Sequence, residues 1–305
     1  NGIIGVKSTY GRISRYGIIP YASSLDHVGY FTTNVEDACT MLEVLAGRDD
    51  RDMTSSLRPV EAYRDHLNSD LRGKVIGVLE NVQEVIRDQA IRDNVEALCE
   101  KLAARGAQIR RVRMPQELME TILPVYLTIA NAEATANHSN LDGIRFGMRE
   151  DGESVEEVMK NSRTKGFSAY VRKRFIIGSY SLFVENQDKL FRKAQKIRRL
   201  LVDHYRALFA ECDCILASAA PTVAPLEDEA SDEALGKEHL VADNHMQLGN
   251  FSGYPSMTLP SGFVDGLPIG VNITCRPFEE QMMFDIAKAI EEETGLADHT
   301  VEVKA

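Results

Sequence analysis

The chain has 305 residues, of which 44% are hydrophobic, enough for a sizeable core, so a disordered protein is not expected. Lys and Arg number 35 against 46 Asp and Glu, giving a formal net charge of -11. Because phosphate affinity comes from clustered Lys and Arg, this balance excludes a general nucleic-acid binder and leaves any nucleic acid to a partner.

The cysteines and the start of the chain indicate the compartment. The cysteines are Cys39, Cys99, Cys212, Cys214 and Cys275. Their odd number and wide scatter are typical of a reducing compartment. Cys212 and Cys214 have no further Cys or His at the spacing of a zinc site, so a role in core packing is favoured over metal binding. No apolar run approaches the roughly 20 residues that span a bilayer, and Asn1 to Gly5 resemble the middle of a protein rather than a signal peptide. We expect a cytoplasmic protein with no membrane association and no cofactor.

The first half of the chain predicts short strands and then alternating elements. Residues 1–32, rich in Gly, Ser and Tyr, are interpreted as loops with short strands. Asn34 is placed to cap a helix over 35–46, with acidic residues in its first turn. Hydrophobic periodicity then predicts a strand, a helix and a strand at 74–79, about 85–104 and 107–112.

The second half predicts a helical middle and a return to the sheet. Residues 115–211 are expected to be mostly helical, with a long helix at about 187–209. Two prolines make 219–225 a loop. The remaining elements are a strand at 214–218, a short helix near 239–251, strands at 256–260 and 269–275, and a helix at 279–294. This alternation predicts an α/β fold, and we expect one domain over residues 1–305.

Common catalytic signatures are missing from the sequence. There is no phosphate-binding loop, no dinucleotide-binding glycine pattern, no H-E-x-x-H zinc motif and no G-x-S-x-G elbow. The seven histidines are not spaced like the ligands of a metal site. The residues alone therefore predict an α/β protein of unknown activity.

A resemblance to a known family runs in order along nearly the whole chain. The segments that carry it are Gly5–Ser14 (GVKSTYGRIS), Ala22–Gly29 with Val35–Ala38, Ala220–Thr222 and Leu267–Val271. They resemble the amidase-signature enzymes, which implies a mixed sheet flanked by helices whose amino-terminal part is missing here. Two further segments, Asp142–Gly147 and Ser162–Phe167 followed by Val171–Gly178, are similar to the A subunits of aminoacyl-tRNA amidotransferases.

The resemblance implies a catalytic centre of a nucleophilic Ser, a second Ser on a cis peptide and a Lys. In such a centre a base removes the hydroxyl proton and backbone N–H groups hold the oxyanion. All three residues precede the segment that matches Gly5, so we expect no catalytic residue in this chain. Four serines of the matching segments are interpreted as loop hydroxyls instead: Ser8, Ser14, Ser23 and Ser24.

The resemblance also implies a substrate pocket for glutamine. Arg174 would bind the α-carboxylate with its planar guanidinium, and Asp243 would take the α-ammonium. The neighbours Arg172 and Lys173 leave the register of Arg174 open. Phe146 replaces the Tyr of most A subunits, which removes one hydroxyl from the substrate pocket and puts the preference for glutamine in doubt.

The family resemblance leaves three functions open. In the first, the parent protein hydrolyses glutamine, and a B subunit uses the ammonia to amidate Glu-tRNA(Gln) or Asp-tRNA(Asn). B and C subunits are then partners, and tRNA is reached only through the partner. The second is a stand-alone amidase on a small amide, favoured by Phe146 and by the divergent segment after Leu240. The third is a non-catalytic fragment or scaffold, produced by truncation or by a split gene.

Overall fold

The computed structural model describes residues 2–225 and 241–299. Within these ranges one mixed sheet has the strand order β2-β1-β6-β7-β5-β3-β4. The strands are β1 (Ile4–Lys7), β2 (Gly29–Thr32), β3 (Val75–Leu79), β4 (Gln108–Val112), β5 (Cys214–Ser218), β6 (Ser256–Val264) and β7 (Leu267–Cys275). β3 pairs in parallel with β4 and β5, and the other pairs are antiparallel. The expected mixed α/β sheet flanked by helices is confirmed.

The hairpin between β6 and β7 shows how local chemistry fixes the register. Val264 pairs with Leu267, and Asp265 and Gly266 form the turn with φ values of 50° and 78°. A two-residue hairpin that matches strand twist needs positive φ at both central positions, which Asp-Gly supplies. Both strands therefore run to this turn and are longer than the sequence predicted.

The helices follow the predicted caps more closely than the predicted lengths. They are α1 (Val35–Leu45), α2 (Glu80–Gln83), α3 (Gln89–Ala104), α4 (Gln116–Met119), α5 (Ile122–Asn137), α6 (Val155–Gly166), α7 (Ala169–Leu182), α8 (Val184–Gln187), α9 (Phe191–Leu208), α10 (Gln247–Ser252) and α11 (Glu280–Thr294). The Asn34 side chain accepts a hydrogen bond from the Asp37 N–H at 2.7 Å, as an N-cap should. The helix predicted near 239–251 starts at Gln247; its first two predicted residues, His239 and Leu240, lie outside the described residues.

The contacts divide the chain into two compact units. The first comprises Asn1–Tyr16, His27–Ile122 and Leu200–Ala305, and the second comprises Gly17–Asp26 and Leu123–Arg199. Compact units of this kind are not by themselves separate domains, so the expectation of one domain over 1–305 stays a prediction.

A large hydrophobic cluster of the first unit lies on one face of the sheet. Side chains alternate along a strand, and Ile4 and Val6 of β1 face the core built by α1, α3 and α11. Leu42, Leu102 and Phe284, one from each of these helices, are fully buried. Burial of each such side chain contributes about 1.5–3 kcal/mol. The opposite face of the sheet also buries apolar side chains of β5, and polar side chains of β1, β6 and β7 there line a cavity described below.

The second unit is helical in its described residues. Helix α7 packs against α5 at Gly178, where a Cβ would lie 2.1 Å from the Asn131 carbonyl oxygen. Aromatic contacts among His138, Phe167 and Phe175 fill the space beside this crossing. In the ranges that the structure describes, no helix is long and apolar enough to cross a membrane.

Candidate functional site: an arginine in a tyrosine cluster and an aspartate at a cavity

Arg174 lies on α7 within a cluster of tyrosines. Its guanidinium donates hydrogen bonds to the hydroxyls of Tyr21, at 3.0 Å, and Tyr170, at 2.6 Å, and Tyr126 lies close enough to interact with its charge. The guanidinium carbon lies 4.6 Å from the centre of the Tyr170 ring, a cation–π contact. Tyr170 precedes Arg174 by one turn, so helix geometry brings this pair together.

The tyrosine cluster holds a cation with neutral partners. Burial lowers the pKa of Arg174, but the hydrogen bonds to Tyr21 and Tyr170 outweigh it, so the pKa is raised overall and the side chain stays charged. Burial raises the pKa of Tyr126, which keeps that hydroxyl protonated. Among the described residues, the hydrogen-bond partners of Arg174 are hydroxyls rather than carboxylates. Its positive charge can therefore serve an incoming anion.

The neighbouring basic residues differ from Arg174 in their surroundings. Lys173 is exposed. Arg172, two positions before Arg174 on the helix, is half-buried. The structure thus brings Arg174, of these three, into the tyrosine cluster. This favours Arg174 in the register that the sequence left open, while the role of Arg174 in binding a substrate stays a prediction.

Phe146 lies in the loop between α5 and α6, also in the second unit. Its side chain is 56% exposed, and its carbonyl accepts from the Gly143 N–H at 3.0 Å. Gly143 has a φ of 79° and lies so close to Ser162 that a Cβ would be 2.3 Å from the Ser162 hydroxyl. Residues 142–147 and 162–167, which resemble A subunits, therefore contact each other. Phe146 presents an exposed ring without a hydroxyl.

Asp243 belongs to the first unit and lies at the edge of a cavity of about 380 Å³. The cavity is lined by the loop at 219–225, by Gly2 and by the facing parts of β6 and β7. Thr222, from the segment Ala220–Thr222, shares this cavity with Asp243. A carboxylate and a hydroxyl at one cavity suit a ligand that carries an ammonium group.

A second cavity, of about 620 Å³, lies against β1, β2, β6 and β7 in the same unit. Lys7 of β1, Ser256 and Thr258 of β6, and Asn272 of β7 line it. Lys7 donates to the carbonyl oxygens of Gly249, at 3.3 Å, and Tyr254. Burial lowers the pKa of Lys7 to about 7, and attraction to Glu280 opposes the shift.

The hydroxyls of three serines of the matching segments bond to side chains of a loop and of helix α5. The Ser14 hydroxyl donates to Asp49 at 2.9 Å, and the Ser24 hydroxyl donates to Glu133 at 2.6 Å. The Ser23 hydroxyl accepts from Asn137 at 3.1 Å, and Ser8 is buried in the first unit. These contacts fit loop hydroxyls that hold local structure.

Residues 2–225 and 241–299 contain no cluster of side chains suited to bind a metal ion. No three His, Cys, Asp or Glu side chains there are grouped to hold an ion. The five cysteines are free and buried, and burial raises the pKa of the Cys212 thiol to about 12, so it stays protonated at neutral pH.

Sequence reasoning missed the tyrosines that surround Arg174. The spacing of Tyr170 and Arg174 could have indicated a pair on one face of a helix. Tyr21 and Tyr126 come from a distant loop and from α5, so only the folded unit brings them together. Lys7 stands within the matching segment Gly5–Ser14, but its spacing carries no signal of the carbonyls it binds.

Comparison with known proteins identifies the family. The model of the family described as Amidase matches residues 1–284, so the chain belongs to the amidase family. The A subunit of the glutamyl-tRNA(Gln) amidotransferase of Koribacter versatilis is 38% identical over 292 residues, covering 95% of this chain and 60% of that protein. The corresponding A subunit of Pseudomonas aeruginosa strain LESB58 is also 38% identical, over 286 residues, covering 93% of this chain and 58% of that protein. The chain thus spans about 60% of the length of these relatives.

Solved structures agree on the fold. The A subunit of the glutamyl-tRNA(Gln) amidotransferase from Thermotoga maritima superposes with a TM-score of 0.75 at 28% identity, covering 98% of this chain and 62% of that one. The peptide amidase of Stenotrophomonas maltophilia gives a TM-score of 0.72 at 22% identity, covering 97% and 59%. At that identity the second likeness shows the fold alone.

Proposed function

We propose that this chain is part of a glutamine-hydrolysing A subunit of an aminoacyl-tRNA amidotransferase. The observation that carries the proposal is Arg174, a cation held by tyrosine hydroxyls and suited to the α-carboxylate of an amino acid. Asp243, beside its cavity, is proposed to take the α-ammonium. The 38% identity to A subunits supports the choice of glutamine as substrate.

The nucleophile of the reaction is proposed to lie outside residues 1–305, so that this chain alone is inactive. The contacts of Ser14 and Ser24 with carboxylates support the proposal, since they leave these hydroxyls in structural roles. The chemistry assigned to the parent is acyl transfer: the serine oxygen forms a bond to the amide carbon, the base passes the hydroxyl proton to the amide nitrogen, the C–N bond breaks and ammonia leaves. Water then releases glutamate from the serine.

The assembly is part of the same proposal. B and C subunits would be the partners, the B subunit would receive the ammonia, and tRNA would be bound only through the partner. The formal charge of -11 supports this division because it disfavours direct binding of tRNA. The proposed compartment is the cytoplasm, without attachment to a membrane.

A second candidate is a stand-alone amidase on a small amide, favoured by Phe146, whose exposed ring offers no hydroxyl to an amino-acid substrate. Titration calorimetry of the chain with L-glutamine, L-asparagine and propionamide separates the two. The amidotransferase proposal expects glutamine to bind most tightly, and it expects B and C subunits to co-purify. Tighter binding of propionamide than of glutamine would favour the stand-alone amidase.

A further inference from the structure

Lys7 joins strand β1 to the end of helix α10. Its ammonium lies 3.3 Å from the Gly249 carbonyl oxygen and also donates to the carbonyl oxygen of Tyr254, just beyond the helix. A cation near the carbonyls at the carboxyl-terminal end of a helix is electrostatically favourable. The Tyr10 N–H binds the carbonyl of Gly253 between them at 3.0 Å, so β1 and the residues after it hold this helix end at three carbonyls.

The Lys7 side chain packs closely against Gly249. A Cβ on Gly249 would lie 3.1 Å from Cε and 3.4 Å from Nζ of Lys7, closer than the ammonium group could easily accommodate. The glycine thus gives the lysine the room to reach two carbonyl oxygens. A branched residue at 249 would extend further into this space and displace the ammonium group.

A lysine at this position costs stability, which a neutral side chain would avoid. Burial disfavours the charged form of Lys7, and its pKa is about 7 against an ordinary 10.5. A methionine of similar length would fill the space without desolvating a charge. What lysine adds over methionine is therefore the pair of hydrogen bonds to Gly249 and Tyr254.

The anchored helix is continuous with the segment that carries Asp243. The Val241 carbonyl accepts from the His245 N–H at 2.8 Å, and the His245 carbonyl accepts from the Leu248 N–H at 3.0 Å. The Gly249 carbonyl, which Lys7 holds, also accepts from the Gly253 N–H at 2.9 Å. An unbroken series of turns thus links the Lys7 contact to the backbone of Asp243.

We propose that Lys7 is a positioning residue, which fixes the 241–254 segment on the sheet and thereby sets the place of the Asp243 carboxylate at its cavity. The anchoring stands on the contacts of Lys7 alone. Its consequence for binding rests on the proposed function, in which Asp243 takes the α-ammonium of the substrate.

Hydrogen exchange measures the anchoring without any substrate. In Lys7→Met, the amides of His245, Leu248 and Gly253 should exchange about tenfold faster, while those of β3 and β5 stay unchanged. Lys74→Met, just before β3, is the matched control and should leave all of these amides unchanged. Unchanged exchange of the three amides in Lys7→Met would overturn the proposal. If Lys7→Met does not fold, Gly249→Val decides in the same way, because its branched side chain extends beyond the Cβ position into the space of the Lys7 side chain.

Binding measures the consequence for Asp243. Calorimetry compares L-glutamine with glutaramic acid, which has the same amide and carboxylate but no α-ammonium. Lys7→Met should raise the dissociation constant of glutamine about tenfold and that of glutaramic acid less than twofold. Equal weakening of both ligands would show general damage and overturn the positioning role. If the unaltered chain does not bind glutamine, the proposed function fails, and hydrogen exchange still decides whether Lys7 anchors the segment.

Discussion

The Arg174 guanidinium lies 2.6 Å from the Tyr170 hydroxyl, one turn earlier on the same helix, and stacks over the ring of that tyrosine. A side chain held in this way has already lost much of its rotamer freedom, so less entropy is lost when it binds an anion. The hydroxyl is neutral, so it fixes the cation without compensating its charge. This relationship underlies the first prediction.

Replacing Arg174 should weaken binding of any substrate that carries an α-carboxylate. A charged hydrogen bond contributes about 1.5–3 kcal/mol, so Arg174→Met should raise the dissociation constant of L-glutamine roughly 10- to 100-fold. Arg174→Lys keeps the charge but loses the planar guanidinium. Its dissociation constant for L-glutamine should lie between those of the unaltered chain and Arg174→Met. Calorimetry measures the effect, with Lys173→Met as the exposed control. Equal affinity of Arg174→Met and the unaltered chain would exclude Arg174 as the carboxylate ligand.

Restoring a hydroxyl at position 146 should favour glutamine. Phe146→Tyr adds a hydrogen-bonding group on an exposed ring of the same size, worth on the order of 1 kcal/mol, or about fivefold in affinity. The same calorimetric titration measures the change. Phe183→Tyr, on a ring that is 57% exposed, is the matched control. Identical glutamine affinities in both variants would mean that residue 146 does not contact the substrate.

The buried His245 makes the fold sensitive to acid. Burial lowers its pKa to about 4, while the unfolded chain keeps the ordinary value near 6.5. Between these values the unfolded state binds a proton that the folded state does not, so stability falls as pH drops from about 6.5 toward about 4. The loss should approach about 1.4 kcal/mol per pH unit.

Urea unfolding at several pH values tests this assignment. His245→Phe should flatten the decline between pH 6.5 and 4 relative to the unaltered chain. His204→Gln, at an exposed position on α9, should leave the decline unchanged. A His245→Phe variant with the full decline would show that other groups govern the acid sensitivity.

The crossing of α5 and α7 should tolerate no added methyl group. A Cβ on Gly178 would lie 2.1 Å from the Asn131 carbonyl oxygen and 2.2 Å from the Thr135 hydroxyl. Gly178→Ala must separate the helices, and it should reduce the free energy of unfolding by at least about 1–3 kcal/mol. Denaturant unfolding measures the loss, and Ser179→Ala on the same helix is the control. An unchanged free energy of unfolding in Gly178→Ala would contradict the close packing.

Much of the fold could be predicted from local sequence, because caps and turns are local chemistry. Asn34 indicated the start of α1, and β5 occupies the predicted residues Cys214–Ser218. The predicted start of α3, at about residue 85, is too early. The Asp88 side chain accepts from the Ala90 N–H at 2.9 Å and caps a helix that begins at Gln89. A separate short helix, α2, precedes it.

The candidate site was less accessible to sequence reasoning. Arg174 was singled out by resemblance, but the tyrosines around it come from three separate places in the chain. The contact between Lys7 and Gly249 joins residues 242 positions apart, so no local pattern could reveal it. Arg174 and Asp243 are assigned to different compact units, and their joint role in one pocket stays a prediction.

The most direct test of the account is ammonia release from L-glutamine by the purified chain, alone and after the segment that precedes the matching region in A subunits is supplied. We predict no release by residues 1–305 alone and release once that segment is added. Clear turnover by the chain alone would place a nucleophile within these residues and contradict the account.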